Sequence, residues 1–431
     1  MDVLSAARRV VEEDPVCDAC LGRQFADRSF GLTNAERGRA LRIAVALEDD
    51  EDFEEPDEEC WVCEGFTDEF EAYAERVADA LSGIDFETYQ VGTRTPPLVE
   101  ENEALLRELS ELPEDAGERF KSEFNREVGK RVGRLTGTEV DFERPDVLAL
   151  LNLERGDVDV QINPAFVFGR YRKLERDIPQ TKWPCRECGG SGKQLAEGGG
   201  EEPCDYCGGS GYLYDESVEQ LTAPPVLDAM DGEEAIFHGA GREDVDALML
   251  GTGRPFVIEV KEPRRRTPDA AALEREINEF AGGAVEVEDL RLATHEMVER
   301  VKELDASKVY RAQVEFDEPV EEADLAAAIE ELDGATVEQF TPNRVDHRRA
   351  SRTRVREVYD VDGRLEDPTH AEVDIHGAGG LYIKELVSGD EGRTEPSLAG
   401  ALGVGAEVTA LDVVAVEGED EAFDRPEYLL E

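Results

Sequence analysis

Gly241-Arg242-Glu243-Asp244-Val245-Asp246-Ala247, followed by Leu250-Gly251-Thr252-Gly253-Arg254-Pro255-Phe256, decides how this chain is read. The stretch sets a carboxylate after a Gly-Arg turn and ahead of an apolar strand, Phe256-Val257-Ile258. A turn that runs into a rigid strand can hold one aspartate at a cleft with an arginine beside it. Asp244 is the aspartate expected there, with Arg242 two residues before it. Asp246 is the local rival. Taken alone, an Asp in such a turn more often bonds its own backbone, so a functional reading needs further residues. Two other stretches supply them: Lys308-Val309-Tyr310-Arg311-Ala312 and Leu381-Tyr382-Ile383-Lys384-Glu385-Leu386.

A length of 431 residues suggests two to four domains. The 40% of apolar residues is enough for packed cores and excludes a disordered chain. The formal charge is −56, from 103 acidic and 47 basic residues, and the excess runs along the whole chain. That pattern fits a protein working in very high salt, as in halophiles. At ~1 M salt the Debye length is about 3 Å, which screens most of the self-repulsion. No apolar run of about 18 residues is present, so no membrane-spanning helix is expected. Met1-Asp2-Val3-Leu4-Ser5 lacks a charged-then-apolar signal pattern. A cytoplasmic protein is expected and, with no coiled-coil heptads, a monomer.

All eight cysteines fall in C-x-x-C pairs: Cys17/Cys20, Cys60/Cys63, Cys185/Cys188 and Cys204/Cys207. Two such turns complete a tetrahedral thiolate shell, so two structural zinc sites are expected, each closed to substrate. The second quartet is the stronger signal. Both of its turns read Cys-Gly-Gly-Ser-Gly, and those glycines let backbone amides face the sulfurs. The first quartet is split by a long insert containing the acidic run Glu48 to Glu59, expected to be a solvated loop. Redox pairs are disfavoured because no βαβ context surrounds them.

Periodicity predicts helices over Thr33 to Leu47, from Phe66 to Leu81 with Gly83 as the stop, and around 101–109 and 120–135. Strand-like segments follow at 146–153 and 158–162. Later ones fall at 256–260, 309–315, 371–375, 380–387 and 407–416. The helix-and-strand order over 65–182 resembles a THUMP RNA-binding domain. Phe168-Gly169-Arg170-Tyr171-Arg172-Lys173-Leu174 and Ile178-Pro179-Gln180-Thr181 join the three stretches above in a wider likeness. Nearly the whole chain resembles the archaeal tRNA pseudouridine synthases of the Pus-ten family.

The resemblance implies a multidomain α+β protein in four parts. A zinc-knuckle region covers 1–64, a THUMP-like α/β domain 65–182, a zinc ribbon 183–213 acting as a hinge, and a catalytic domain 214–431. The last is implied to be a mixed, mainly antiparallel β-sheet. The implied reaction converts tRNA T-loop uridines, at tRNA positions 54 and 55, to pseudouridine. Such chemistry needs an ionised carboxylate, a stacking face and a dry pocket, with no redox or organic cofactor.

Residue by residue, the family pattern Gly-Arg-x-Asp falls on Asp244 as nucleophile. Tyr310 matches the active-site tyrosine, offering a stacking ring and a phenol for proton transfer at C5. Lys384 is the cation expected to keep Asp244 ionised. Arg242 is expected to bind phosphate or to replace the flipped base. Ile383 and Leu411 would line the pocket, and Arg393, in the Gly-bounded loop 389–397, would touch RNA. Ala247-Leu248 stand where the family pattern leads us to expect Val-Arg.

An RNA enzyme this acidic must concentrate its cations. The richest island runs from Arg344 to Arg356 and includes Arg348 and Arg349 as expected RNA contacts. Others are Arg264-Arg265-Arg266, then Arg170, Arg172 and Lys173, then Lys121, Arg126, Lys130, Arg131 and Arg134. The expected partner is the tRNA T-arm. Two rivals stand beside this reading: a non-catalytic zinc-containing tRNA-binding protein, and another THUMP-associated tRNA-modifying enzyme. A methyltransferase needs a Gly-rich loop opening a parallel sheet, whereas Gly377 to Gly380 is expected to lead into a strand.

Overall fold

Alternating burial builds the first sheet. Val147, Ala149 and Leu151 are buried and their neighbours are half-buried, the period-two pattern of a strand packed on one face. The structure, a computed structural model, describes residues 2–13, 15–113, 115–196, 199–342 and 351–430. Arg348 and Arg349 lie outside them. The chain forms two units, 1–163 and 164–431. No helix among the described residues is long and apolar enough to cross a membrane.

In the first unit, β1 (Thr88–Arg94), β2 (Glu139–Val140), β3 (Val147–Asn152) and β4 (Asp157–Ile162) line up as β2-β1-β3-β4. β1 runs parallel to β2 and β3, while β3 and β4 are antiparallel. Helices Phe70–Ala80 and Phe120–Thr136 pack through Phe70, Tyr73 and Phe124, whose rings meet edge-on at 5.4 and 5.3 Å. The Tyr89 hydroxyl donates to the Gly129 carbonyl at 2.7 Å and ties the sheet to that second helix. Helix Asn34–Asp49 starts at a capping box formed by Thr33 and Glu36. It crosses helix Asp18–Arg23 at two glycines. A Cβ on Gly22 would lie 1.8 Å from the Asn34 carbonyl oxygen, and one on Gly38 1.8 Å from that of Asp18.

The second unit contains β5 (Ala165–Lys173), β6 (Lys193–Leu195), β7 (Glu201–Pro203), β8 (Glu234–Gly239), β9 (Met249–Lys261) and β10 (Val285–Ala293). Then come β11 (Ala306–Phe316), β12 (Thr336–Phe340), β13 (Thr353–Asp367), β14 (His370–Gly377), β15 (Thr394–Glu395) and β16 (Ala406–Gly418). β6 and β7 pair by themselves. All the others form one sheet, ordered β10-β5-β9-β16-β11-β14-β13-β12-β15 with β8 beside β9. Its pairings are antiparallel except at β9 and β16, as the mainly antiparallel expectation requires.

Three elements differ from their sequence reading. Strand β5, expected within the THUMP-like segment, lies in the large sheet, and the segment 183–213 also belongs to the second unit. The run 380–387 is not a strand: helix Ile383–Ser388 forms there, closed by Gly389 in the left-handed region, whose amide donates to the Glu385 carbonyl at 2.8 Å. A short apolar run has too few residues to separate a helical from a strand period. Gly377 to Gly380 therefore leads into a helix. The strand that ends there, β14, is antiparallel to both neighbours, so the parallel sheet of a dinucleotide-type loop is missing on other grounds.

Candidate active site

The Gly241–Ala247 turn points its side chains alternately. Glu243 faces inward, with its side chain 1% exposed, while Arg242 and Asp244 on either side are exposed. Beneath the turn, a Glu243 carboxylate oxygen lies 2.9 Å from Arg254 Nε, and that side chain is also 1% exposed. The Arg254 N–H is not aligned on the oxygen, so the contact is an ion pair rather than a hydrogen bond. The Tyr171 hydroxyl donates to Glu243 at 2.9 Å and accepts from the Gln180 amide at 2.8 Å. Burial, then the Glu243 charge, pushes the Tyr171 phenol well up, so it stays a neutral donor. Burial, the largest influence, works against the Arg254 charge, but Glu243, Tyr171 and Tyr310 together outweigh it and the pKa is raised.

The turn's backbone is held at five carbonyls. Arg254 Nη1 donates to Ala240 at 2.7 Å and Gln180 to Gly241 at 2.8 Å. Lys173 Nζ donates to Asp244 at 3.3 Å and Val245 at 3.0 Å. Arg176 donates to Asp246 at 2.6 Å and pairs with Asp412, which in turn accepts from the Leu248 amide. These groups over-determine where the Asp244 side chain leaves the backbone.

The turn ends at Met249, which pairs with Val413 on β16, and Val413 lies opposite Tyr310 on β11. One row of the sheet thus runs from the turn to Tyr310. Leu411 faces Ala312 two residues further along, and opposed residues share a face. Tyr310 is half-buried and packs against both apolar clusters of this unit. Burial pushes its phenol up, Arg254 pulls it down and the Asp244 carboxylate pushes it up again, so Asp244 and Tyr310 lie within electrostatic reach. Two residues before Tyr310, Lys308 is drawn down to about 8 by burial and then by Arg254, with Glu419 opposing.

Helix Ile383–Ser388 brings Ile383, which is buried, into the cluster that Leu411 and Tyr310 pack against. Lys384 is half-buried on that helix, and among the described residues it forms no ion pair with Asp244. The cation beneath the turn is Arg254 instead. Arg393 is engaged with Asp390, its Nη2 lying 2.6 Å from the carboxylate.

Several cation islands are neutralised locally. Arg170 pairs with Glu417, and Arg172 with Glu286 and Glu288. Arg126, Lys130 and Arg131 share Glu127, with Glu118 and Glu71 close by. Lys173 is fully buried and, among the described residues, bonds only main-chain carbonyls, so it is a loop anchor and not an RNA contact. The sequence reading missed Glu243, Arg254, Tyr171 and Gln180 as its partners. Glu243 lies among other charged residues of the turn, so nothing local in the sequence marks it as the buried one.

The cysteines meet as paired by spacing. Cys17, Cys20, Cys60 and Cys63 form one group and Cys185, Cys188, Cys204 and Cys207 another, each with its sulfurs within 4.8 Å of one another. The sulfurs of Cys17 and Cys63 are 3.8 Å apart, those of Cys185 and Cys204 4.0 Å and those of Cys188 and Cys207 3.9 Å. A tetrahedron with Zn–S of about 2.3 Å has S···S edges of about 3.8 Å, so both groups fit a zinc ion. The Gly192 and Gly211 amides donate to the Cys188 and Cys207 sulfurs at 3.3 and 3.2 Å, as the repeated glycines predict. In the first group the buried Arg23 donates to the Cys20 sulfur at 3.2 Å and also binds Glu103 and Glu123.

Comparison with known proteins matches residues 166–417 to the family model "Pus10, C-terminal" and 73–152 to "Pus10 THUMP domain, archaeal". A protein of Halorubrum lacusprofundi named tRNA pseudouridine synthase Pus10 is 68% identical over 432 residues, covering 100% of both chains. Proteins of the same name from Methanothrix thermoacetophila and Methanothermobacter marburgensis are 43% and 45% identical. The matches cover 97% and 94% of this chain, and 95% and 96% of theirs.

Proposed function

Because this chain belongs to the Pus10 family of tRNA pseudouridine synthases, we propose that it isomerises uridines 54 and 55 of the tRNA T-loop, with Asp244 as nucleophile. The reaction breaks the uracil N1–C1′ bond and makes a C5–C1′ bond. Asp244 adds covalently to the uridine and leaves again, so no atom of the enzyme stays in the product. The proton on C5 is lost, N1 ends protonated, and no electron is gained or lost overall.

One observation carries this reading: the outward Asp244 carboxylate stands over a buried ion pair, within electrostatic reach of Tyr310. Tyr310 stacks on the extruded base. Its raised pKa keeps the phenol neutral, which favours the stacking role over that of a strong base. Ile383 and Leu411 supply the apolar wall that keeps water out. Arg242, exposed beside Asp244, takes a phosphate or fills the gap left by the flipped base. Arg393, Arg348 and Arg349 contribute to RNA binding, and Lys384 adds positive charge on the helix behind the pocket.

The test is incubation with an unmodified tRNA transcript in molar KCl, followed by carbodiimide mapping. Stops at both T-loop uridines are expected. A single stop narrows the substrate claim, and no stop under conditions where the tRNA binds overturns it.

In the same reading each cysteine quartet holds a structural zinc ion, with four thiolates leaving no open position for chemistry. Purified protein is expected to carry two zinc ions per chain by atomic absorption. Cys204→Ser should lower that count by one and lower the melting temperature. A full metal complement in that variant would refute the second site.

A further inference from the structure

In a chain with 103 acids against 47 bases, Lys308 and Arg356 each make no ion pair with a carboxylate among the described residues. The two cations flank the same turn. Lys308 on β11 lies opposite Gly377 on β14, which lies opposite Val358 on β13. Lys308 therefore points to the face that carries Tyr310, and so does Arg356, two residues before Val358 on its strand. Among the described residues, the contacts of both heads are few. Lys308 Nζ reaches only the Ala306 carbonyl, at 3.5 Å. Arg356 Nη1 donates to the Val355 carbonyl at 2.8 Å, and its buried Nε has no hydrogen-bond partner.

Between the two cations runs the turn Ala378-Gly379-Gly380, which has almost no side-chain bulk. A Cβ on Gly379 would sit 2.9 Å from the Ala306 carbonyl oxygen. A Cβ on Gly380, whose φ is +83°, would stand 3.5 and 3.6 Å from two nitrogens of the Arg356 guanidinium. The glycines thus leave a bare strip with an ammonium at one side and a guanidinium at the other. Glu419 already accepts from the Gly379 amide at 3.3 Å, so a ligand here is held by the two side chains rather than by that amide.

We infer that Lys308 and Arg356, with the glycine turn between them, form a phosphodiester site that grips the RNA backbone beside the nucleotide turned toward Tyr310. The inference rests on the reading of this chain as a tRNA pseudouridine synthase and extends it to the path of the strand. In molar salt, distant charges are screened within about 3 Å, so backbone recognition must come from close, partly desolvated contacts. A half-buried ammonium and a guanidinium are suited to that, the latter through planar contacts to phosphate oxygens.

The experiment uses the full chain with Lys308→Gln, Arg356→Gln, Lys308→Arg and the double Gln variant. tRNA affinity is measured by filter binding over a range of KCl, with KM and kcat from carbodiimide mapping. Each Gln variant is expected to weaken tRNA binding about tenfold and to make the slope of log Kd against log salt shallower by about one. Lys308→Arg should restore the slope. KM should rise far more than kcat falls. A slope unchanged in both single variants overturns the site even if affinity drops, because a purely structural defect does not release fewer counterions. Were wild-type protein to bind tRNA but make no pseudouridine, the functional reading would fail while the slopes still judged the phosphate site.

Discussion

Asp244→Asn is expected to abolish pseudouridine formation, lowering kcat by about 10⁴-fold or more, the scale seen when a covalent nucleophile is removed. The amide keeps the shape of the side chain and loses only its charge and nucleophilicity. Because Asp244 is exposed and its fixed contacts run through its backbone carbonyl, the melting temperature and the tRNA Kd should stay close to wild type. Asp246→Asn is the matched control. It too is exposed, and the Arg176 contact to it uses the main chain, so activity should survive. Single-turnover assays with mapped product separate the two. Activity lost in Asp246→Asn and retained in Asp244→Asn would move the nucleophile two residues along and sink the assignment made here.

Much of this was legible because the sequence constrained it locally. A Gly-Arg turn before an apolar run predicts a strand, and β9 covers the expected 256–260 but begins seven residues earlier, at Met249. C-x-x-C pairs, with two residues between the cysteines, point to paired ligand turns, and both expected quartets come together. Other features depended on residues far away in sequence. Arg172 reads as part of a basic island until β10 brings Glu286 and Glu288 against it. Lys173, one residue on, alternates to the opposite face and is buried under the Asp244 turn. Arg254 sits between a glycine and a proline, where nothing in the local sequence marks a buried cation. Only the pairing of β9 with β5 shows that it closes against Glu243 and Tyr171. The direction of Lys384 relative to Asp244 was hidden in the sequence for a related reason. The residues around it form a short helix, which sets its direction by a period that six residues do not reveal.

The buried pair under the turn gives the second large effect. Glu243→Gln leaves the Arg254 guanidinium charged, 1% exposed and without its counterion. Removing one partner of a buried ion pair costs about 3–5 kcal/mol, because the remaining charge is stranded away from water. For a unit of this size a loss of that scale lowers the melting temperature by roughly 6–20 °C. Catalysis should suffer as well, since Arg254 also anchors the Ala240 carbonyl at the start of the turn and sits in the electrostatic surroundings of Tyr310. The double variant Glu243→Gln/Arg254→Met removes both charges, so it is expected to be less destabilised than the sum of the two single variants. Calorimetry of the four proteins in molar KCl measures that coupling. A Glu243→Gln protein melting with wild type would mean that the pair carries no net stabilisation. The turn would then have to be held by Lys173, Gln180 and Arg176 alone. If the pair does hold the turn, the double variant regains stability but not activity: a neutral, well-packed floor can support the fold, but it no longer fixes the Ala240 carbonyl that sets the direction of Asp244.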